Sequence, residues 1–274
     1  MIIGFSLRNS VSFGIGRYIA VGVLSRVQLN SVRQLSRFPP LQSMDTPHDP
    51  NFRPVEIAGF RKPYYNKDEP YFMESAASAD PFVQFDLWFK DVCSHAGSIS
   101  YEEMNACCVS SCVNNKPSSR MVLLKKYDKL GFTFFTNSIS RKGREMTENP
   151  NIAMLFYWPF VNRQVRIEGK VERISEAETD EYWNSRPITS RIGGAISEQS
   201  QEVPSRQFLE AKRAELIERV AQEGPSAVPR PQSWSGFLLK PSYFEFWQGQ
   251  SDRLHDRLAY RQNGEEWTRF RLSP

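Results

Sequence analysis

Residues 106–126 read ACCVSSCVNNKPSSRMVLLKK, and this stretch decides the fold class. Residues 106–113 and 120–126 are runs of small, β-branched and aliphatic side chains, and they flank the sequence Asn114-Asn115-Lys116-Pro117. Short strand-forming runs on either side of such a turn predict a β-hairpin. The fold is therefore expected to be built from antiparallel hairpins, because parallel strands would need long crossover connections instead.

The same alternation of strands and turns continues along the chain. The sequence predicts a helix that begins at Asp80-Pro81, and further helices over 140–148, over 175–185 and from Pro204 onward. Further strands are predicted at 132–136, 152–158, 164–174, 235–239, 243–247, 257–261 and 267–272. Many short strands joined by hairpins predict a mainly β fold with flanking helices, closed into an antiparallel barrel.

Charge divides the 274-residue chain into a leader and a body. Residues 1–44 contain five arginines and no acidic residue, whereas the rest of the chain carries 30 basic and 31 acidic side chains. An acid-free start rich in Arg and Ser is typical of a mitochondrial transit peptide, and a disordered leader is the alternative. Residues 45–78 are interpreted as an extended arm and residues 79–274 as the folded domain. This organisation predicts a mitochondrial or a cytoplasmic protein.

Composition argues against nucleic acid, membrane and metal as partners. The body has a net charge of −1, so it lacks the basic character that nucleic-acid binding requires. The apolar run at 18–24 is far shorter than the ~20 residues that cross a bilayer. The cysteines fit neither zinc-site spacing nor a disulfide framework. They are therefore expected to be buried, reduced and structural: Cys93, Cys107, Cys108 and Cys112.

Four polar clusters occupy places from which a strand or a helix end could direct them at a ligand. Residues 120–125 place two basic side chains in an apolar strand, and residues 140–143 combine two cations with a helix start, where amide N–H groups bind phosphate. Gln164 could hydrogen-bond the edge of a heterocycle. Residues 244–257 join an aromatic run to a glycine turn, two arginines and a histidine. Taken singly, each cluster could equally be a solvated or structural group.

Taken together, these motifs resemble the pyridoxine/pyridoxamine 5′-phosphate oxidases. Their order and spacing agree with that family from about Arg61 to Pro274, and the segment from Trp247 to Arg257 is the most specific part. The matching motifs are Arg120-Met121-Val122-Leu123-Leu124-Lys125, Phe134-Phe135-Thr136-Asn137, Ser140-Arg141-Lys142-Gly143, Asn162-Arg163-Gln164-Val165, Ser185-Arg186-Pro187, Gln199-Ser200, Phe246-Trp247-Gln248-Gly249-Gln250, Arg253-Leu254-His255-Asp256-Arg257 and Arg271-Leu272-Ser273-Pro274.

The resemblance implies an FMN-binding split β-barrel that forms a homodimer, with FMN at the subunit interface. It implies oxidation of pyridoxine 5′-phosphate and pyridoxamine 5′-phosphate to pyridoxal 5′-phosphate, the reaction of vitamin B6 salvage. The 4′ carbon of the substrate would give a hydride to FMN, and O2 would reoxidise the flavin with release of H2O2. In such an enzyme the cofactor carries the redox chemistry and the protein positions the reactants.

The resemblance also assigns a role to each matching residue. The catalytic assignments are Arg253, for orientation and electrostatics, and His255, for a supporting polar or proton-handling role. The FMN-binding assignments are Arg120, Met121, Val122, Leu123, Phe135, Thr136, Arg141, Lys142, Gln164, Gln199, Ser200, Trp247 and Arg257. The substrate-binding assignments are Lys125, Tyr182, Arg186, Ser190, Arg253, Leu254 and His255.

Three positions depart from the family pattern. Glu198 precedes Gln199 where a basic residue or His is frequent, Arg191 replaces a common Gln, and Ser235 replaces a usual Gly. All three lie beside matching residues, so they bear on affinity rather than on the type of reaction.

Two other functions stay open from the sequence. One is a split-barrel flavoprotein reductase with a different substrate. Such an enzyme would not need the whole set of Lys125, Tyr182, Arg186, Arg253 and His255. The other is a carrier that binds pyridoxal phosphate without catalysis, which would not need the flavin set that includes Arg120 and Trp247. A yellow purified protein would separate the flavoproteins from the carrier.

Overall fold

The computed structural model describes residues 71–95 and 103–274, all within the compact unit Lys62–Pro274. The predictions for the leader and for residues 45–70 of the arm lie outside the described residues. The helices are α1 Pro81–Ser94, α2 Arg141–Glu148, α3 Glu176–Ser185, α4 Ile188–Ile196 and α5 Arg206–Glu223. The strands are β1 Ala106–Val113, β2 Lys116–Asp128, β3 Gly131–Asn137, β4 Asn151–Trp158, β5 Arg163–Arg173, β6 Trp234–Gln248, β7 Asp256–Asn263 and β8 Glu266–Arg271.

Six of these strands form a closed antiparallel barrel. Their order is β3-β2-β1-β4-β5-β6, and β6 pairs back with β3 to close the ring. β7 and β8 extend the sheet beyond β6 as a hairpin. The predicted mainly β fold with flanking helices is confirmed, and closure leaves no open edge between the six strands.

The hairpin of β1 and β2 turns more tightly than predicted. Asn114 and Asn115 have φ angles of 51° and 59° and form a two-residue turn of the type that suits the twist of paired strands. Lys116 and Pro117, which were predicted to belong to the turn, pair with Val113 and Cys112 as the first residues of β2. The prediction was wrong by two residues here, because two asparagines suffice for the left-handed conformations of the turn.

β6 is one long strand where two strands, 235–239 and 243–247, were predicted. Its first part pairs with β3 and its second part pairs with β7, while β5 follows it throughout. The register of β5 against β6 shifts between Glu168 and Gly169, opposite Pro241. Proline removes a backbone donor, and the irregular pairing absorbs that loss without ending the strand.

α1 packs its apolar face into the barrel core. The carboxylate of Asp80 caps the helix by accepting hydrogen bonds from the backbone N–H groups of Phe82 and Val83. Phe85 is fully buried, and its ring lies 4.8 Å from the ring of Phe132 and 5.2 Å from that of Phe156. The predicted helix start and its apolar stripe are confirmed.

A second apolar cluster holds the helical segment between β5 and β6 against the barrel. Trp183 of α3, Ile192 of α4, Val228 and Trp234 of β6 form its buried centre. The capping box predicted at the start of α3 is present. α4 was not predicted from the sequence. α5 was predicted as an amphipathic helix, but none of its residues is buried.

The cysteine prediction was partly wrong. All four cysteines are free, but only Cys107 is buried; Cys108 and Cys112 are half-buried and Cys93 is exposed. Burial raises the pKa of Cys107 to about 12, so this thiol is inert. Among the described residues, no group of His, Cys, Asp and Glu could hold a metal ion. No described helix is long and apolar enough to cross a membrane.

Candidate active site

A cavity of about 430 Å³, here called the first cavity, opens between β2, β3 and the helices α3 and α4. It is the place where most of the predicted site residues meet. Seven predicted FMN-binding residues line it, namely Met121, Val122, Leu123, Phe135, Thr136, Lys142 and Gln199. Four predicted substrate-binding residues share it, namely Lys125, Tyr182, Arg186 and Ser190. Residues from distant parts of the chain thus converge on one space.

Lys142 provides the cation at one end of this cavity. Its Nζ donates hydrogen bonds to Gln199 Oε1 at 2.8 Å and to Thr136 Oγ1 at 3.0 Å. The helix α2 delivers the side chain, and the Ser140 hydroxyl caps that helix by accepting from the backbone N–H of Gly143. Burial, helped by the nearby charge of Arg120, lowers the pKa of Lys142 to about 8. A partly desolvated ammonium of this kind favours an anionic ligand.

Arg120 and Arg141 share a carboxylate that the sequence analysis missed. Glu145 Oε2 accepts from Arg120 NH2 at 2.8 Å, and Glu145 Oε1 accepts from Arg141 Nε at 2.8 Å. Burial alone would raise the pKa of Glu145, but hydrogen bonds from Ser111, both arginines and Ser118 lower it to about 2. Neither arginine lines the first cavity; both belong to the ion-paired cluster beside it.

Arg186 contributes a guanidinium with an unused donor to the lining of the same cavity. Its guanidinium carbon lies 5.3 Å from the ring centre of Trp183 and 5.1 Å from that of Trp234, so the group stacks on aromatic faces. Its buried NH1 has no hydrogen-bond partner among the described residues. Burial lowers the pKa of Arg186 below its usual value. A buried donor without an acceptor is costly, so this position is suited to an anion.

Three stacked rings form a flat aromatic wall in the same cavity. The rings of Phe135 and Tyr182 stack with centres 4.0 Å apart, and the ring of Trp234 lies 5.0 Å from that of Phe135. Trp234 is a member of the site that the sequence analysis did not identify. Such a wall suits a planar heteroaromatic ligand.

The remaining predicted flavin contacts lie at another place, here called the second cavity. It measures about 210 Å³, and Gln164, Trp247 and Arg257 line it together with Arg166 and Glu245. Glu245 is 6% exposed and accepts from Arg166 NH2 at 2.6 Å and from Arg257 Nε at 2.7 Å. Burial would raise the pKa of Glu245, but these two hydrogen bonds lower it below its usual value. The sequence analysis missed this buried acid.

The loop after β6 carries the two predicted catalytic residues. The backbone N–H of Gln250 donates to His255 Nδ1 at 2.9 Å, and the His255 ring lies 5.0 Å from the ring of Trp247. Because Nδ1 accepts this bond, the imidazole proton is on Nε2. Arg253 has a φ of +71°, and Leu254 is 67% exposed. None of these residues lines the first cavity.

Ser200 is exposed and has a φ of +70° in the turn that follows Gln199. It does not line the first cavity, although its neighbour does. The predicted site residues therefore fall into three groups within one protomer: the first cavity, its ion-paired edge, and the second cavity with the loop of residues 249–255.

Comparisons with known proteins show which family the chain resembles. The family model of pyridoxamine 5′-phosphate oxidase matches residues 100–219, and that of the pyridoxine 5′-phosphate oxidase C-terminal dimerisation region matches residues 234–274. The pyridoxine/pyridoxamine 5′-phosphate oxidase of Herminiimonas arsenicoxydans is 47% identical over 80% of the chain and 100% of its own length. The chloroplastic pyridoxine/pyridoxamine 5′-phosphate oxidase 1 of Arabidopsis thaliana is 46% identical over 80% of the chain and 41% of its own length.

Solved structures show the same fold. The crystal structure of PhzG from Burkholderia lata 383, in complex with tetrahydrophenazine-1-carboxylic acid, is similar with a TM-score of 0.68 and 31% identity. The match covers 76% of this chain and 98% of that one. By sequence identity over the full length of the Herminiimonas relative, and by fold, the chain belongs to the pyridoxine/pyridoxamine 5′-phosphate oxidase family, a family of FMN-dependent oxidoreductases.

Proposed function

We propose that this protein oxidises pyridoxine 5′-phosphate and pyridoxamine 5′-phosphate to pyridoxal 5′-phosphate with FMN and O2. The observation that carries the proposal is the buried, unpartnered donor of Arg186 in the first cavity, in a lining that also contains an aromatic wall and Lys142. Two cationic groups and a flat aromatic surface in one cavity suit a phosphorylated substrate ring next to a phosphorylated cofactor ring. Relatives named as oxidases of these two vitamers support the same substrate.

The residues present fit FMN. Its phosphate region would be held by Lys142 and Gln199, together with Arg120, Arg141 and Ser200 at the edge of the first cavity. Arg141 uses one of its five N–H donors in the bond to Glu145, so the other four can bind phosphate. Apolar and backbone groups of β2 and β3 would line the isoalloxazine ring. These lining residues are Met121, Val122, Leu123, Phe135 and Thr136.

The second cavity would complete the site of the partner subunit. Gln164, Trp247 and Arg257 are expected to contact the flavin, yet in one protomer they lie apart from the first cavity. Trp247 and Arg257 fall within the segment that matches a dimerisation region. A homodimer in which the second cavity and the loop 249–255 of one subunit face the first cavity of the other satisfies both facts.

The chain's own residues would then perform four tasks. The substrate phosphate would be bound by Lys125, Tyr182, Arg186 and Ser190, so the substrate ring is fixed at one end. Arg253 of the partner subunit orients the ring near its reacting carbon, and Leu254 covers it. His255 offers its Nε2–H as a hydrogen-bond donor, which supports a positioning role rather than that of a strong base. The aromatic wall excludes water from the ring face.

FMN, when bound, would supply the two-electron oxidation: the substrate would lose a hydride from its 4′ carbon and a proton from its hydroxyl or ammonium group, and O2 would be the final electron acceptor, released as H2O2. For pyridoxamine phosphate, the resulting imine is hydrolysed to the aldehyde and ammonia.

The test measures pyridoxal phosphate and H2O2 formed by the purified protein with FMN and pyridoxine 5′-phosphate. We expect equal amounts of both products, and near-complete loss of turnover in an Arg253→Ala, His255→Ala double variant. Arg186→Gln should raise KM roughly 10- to 100-fold, because hydrogen bonds to a charged group contribute about 1.5–3 kcal/mol, while kcat changes little. Arg213→Gln, at an exposed position of α5, is the matched control.

Pyridoxine without its phosphate provides a second test of the role of Arg186. The Arg186→Gln change should leave the weak reaction with pyridoxine unaltered, because no phosphate is present to lose its partner. A yellow protein that turns over neither phosphorylated vitamer would overturn the proposal and favour a flavoprotein with another substrate. Binding of pyridoxal phosphate without any flavin would favour the carrier.

The transit-peptide prediction for residues 1–44 stays a prediction. The Arabidopsis relative is named as chloroplastic, which shows organellar placement for one member of the family. For this chain, we infer a mitochondrial or a cytoplasmic location from the composition of the leader alone.

A further inference from the structure

Gln250 is connected to both predicted catalytic residues through its backbone. Its N–H donates to His255 Nδ1 at 2.9 Å, and its carbonyl oxygen accepts from the backbone N–H of Arg253 at 3.2 Å. Gln250 is only 7% exposed, although it belongs to a loop whose next four residues are exposed. The geometry of both catalytic residues therefore depends on where this one residue is held.

A buried carboxylate holds the Gln250 side chain. Asp256, 5% exposed, accepts from Gln250 Nε2 at 2.7 Å through its Oδ2 atom. The same oxygen accepts from the backbone N–H of Phe72 at 3.0 Å, and Oδ1 accepts from Arg271 NH1 at 2.7 Å. Asp256 begins β7 and pairs with Gln248 of β6, so it is part of the rigid sheet. The loop is thus fastened to the sheet at a buried point between its two ends.

We propose that Gln250 and Asp256 are positioning residues of this enzyme: Asp256 anchors the Gln250 side chain, and Gln250 thereby fixes the imidazole tautomer of His255 and the left-handed backbone of Arg253. This inference rests on the proposed function for its kinetic part only. Neither residue was assigned a role from the sequence, and neither lines the first or the second cavity.

The physical basis is the geometry of a short loop. Arg253 adopts a φ of +71°, a conformation that an L-residue with a long side chain takes up only when its surroundings impose it. The hydrogen bond from its N–H to the Gln250 carbonyl is one such restraint. His255 could carry its proton on either ring nitrogen, and the Gln250 N–H selects Nε2. Without the side-chain anchor, both restraints loosen together.

The decisive variant is Gln250→Met, which keeps the size of the side chain and the backbone groups but removes the amide donor to Asp256. Gln250→Glu is a second variant of equal length, which places a carboxylate against that of Asp256. Gln262→Met makes the same chemical change at an exposed position of β7 and is the matched control. All three variants leave the apolar core unchanged, so the barrel is expected to stay folded. Melting curves of the FMN-loaded protein measure this.

The first readout is the ¹⁵N spectrum of the imidazole rings in the FMN-loaded, histidine-labelled protein, which contains three histidines. A His255→Gln variant assigns the relevant signals. In the wild-type chain and in Gln262→Met, we expect His255 to show a single tautomer with an unprotonated Nδ1. In Gln250→Met and Gln250→Glu, we expect averaging between the two tautomers. A His255 signal that stays unchanged in both Gln250 variants would overturn the proposal.

The second readout is kinetic. Both Gln250 variants should lower kcat, by up to about 100-fold as for a reacting group displaced by an ångström, with little change in KM because the phosphate grip is intact. A rise in KM without a fall in kcat would assign Gln250 to substrate binding instead and contradict the proposal. If the wild-type protein fails to oxidise either vitamer, the proposed function is wrong, whereas the tautomer measurement still decides the positioning role.

Discussion

At the scale of single residues, Lys142 is a site cation whose charge is expected to change within a practical pH range. Its pKa is lowered from the usual 10.5 to about 8 by burial and by Arg120, so the free protein carries this ammonium at pH 7 and loses most of it by pH 9. The phosphate of FMN has its second pKa near 6 and stays dianionic over the same interval. Only the protein side of this contact titrates between these pH values.

FMN affinity is therefore expected to fall as pH rises from 7 to 9. The loss should approach about tenfold per pH unit above pH 8, because one proton on Lys142 is needed for tight binding. Titration of the FMN-free protein with FMN at several pH values, followed by flavin fluorescence, measures this slope. Lys142→Arg, which stays charged throughout, should give a flat profile. Parallel slopes for the two proteins would contradict the assignment of Lys142 to the phosphate.

Sequence patterns identified the cations of the site but not their counter-ions. Lys142, Gln199 and Thr136 were predicted and lie within hydrogen-bonding distance of one another. Glu145 was missed although it follows Arg141 by one helical turn, a spacing that could have indicated the pair. No sequence spacing could have indicated the role of Glu245, because its contact with Arg166 depends on how β5 pairs with β6.

At the scale of elements, the close contact of Gly169 with Lys240 shows why β6 can continue through Pro241. A Cβ atom added at Gly169 would lie 2.0 Å from the carbonyl oxygen of Lys240. The sequence predicted a break because Lys240-Pro241-Ser242 contains a residue that cannot donate to a ladder. What it could not show is that a glycine on the neighbouring strand lets the two backbones approach and keeps the pairing.

Gly169→Ala is expected to destabilise the protein by about 1–3 kcal/mol, the usual cost of forcing atoms into a filled space. Thermal or urea unfolding of the FMN-loaded protein measures the change. Gly193→Ala is the matched control: a Cβ there meets no atom within 4 Å, and alanine favours helix α4 by about 1 kcal/mol. Equal effects of the two substitutions would show that the close contact between β5 and β6 is not required.

The sequence did not predict α4, because its two glycines weaken the helical pattern. Gly193 and Gly194 lower the helix propensity of a nine-residue segment, so local pattern alone does not indicate a helix. Contacts with distant residues compensate. Arg191 donates to the carbonyl of Pro225 at 2.9 Å, and Gly194 packs so closely on Trp183 that an added Cβ atom would lie 3.1 Å from its ring. The barrel strands other than β6 needed no such help, because their periodicity and turns are local.

At the scale of the whole molecule, the predicted flavin contacts are divided between two cavities, and the proposed homodimer would bring the two together in each active site. Lys142→Met should disable the first cavity and Trp247→Ala the second, so each variant alone is expected to be nearly inactive. In dimers assembled from both variants, one of the two sites receives an intact first cavity and an intact second cavity.

Co-expression of the two variants should therefore restore roughly a quarter of the wild-type activity, since half of the dimers are mixed and one site in each is intact. Separately tagged subunits allow the mixed dimer to be purified and assayed directly, with an expected yield of one FMN per dimer. Absence of any recovery in the mixed dimer would mean that both cavities serve the same subunit's site.

The closure of the barrel by β6 has a consequence for how the protein is made. During translation, β1 to β5 leave the ribosome first and can form a five-stranded sheet whose two edges are β3 and β5. Unpaired edges attract other chains. Both edges find their partner in the same strand, which is synthesised only after α3, α4 and α5. A nascent chain stalled in this helical segment is therefore the species most exposed to aggregation, and a chaperone acting there would protect two edges at once.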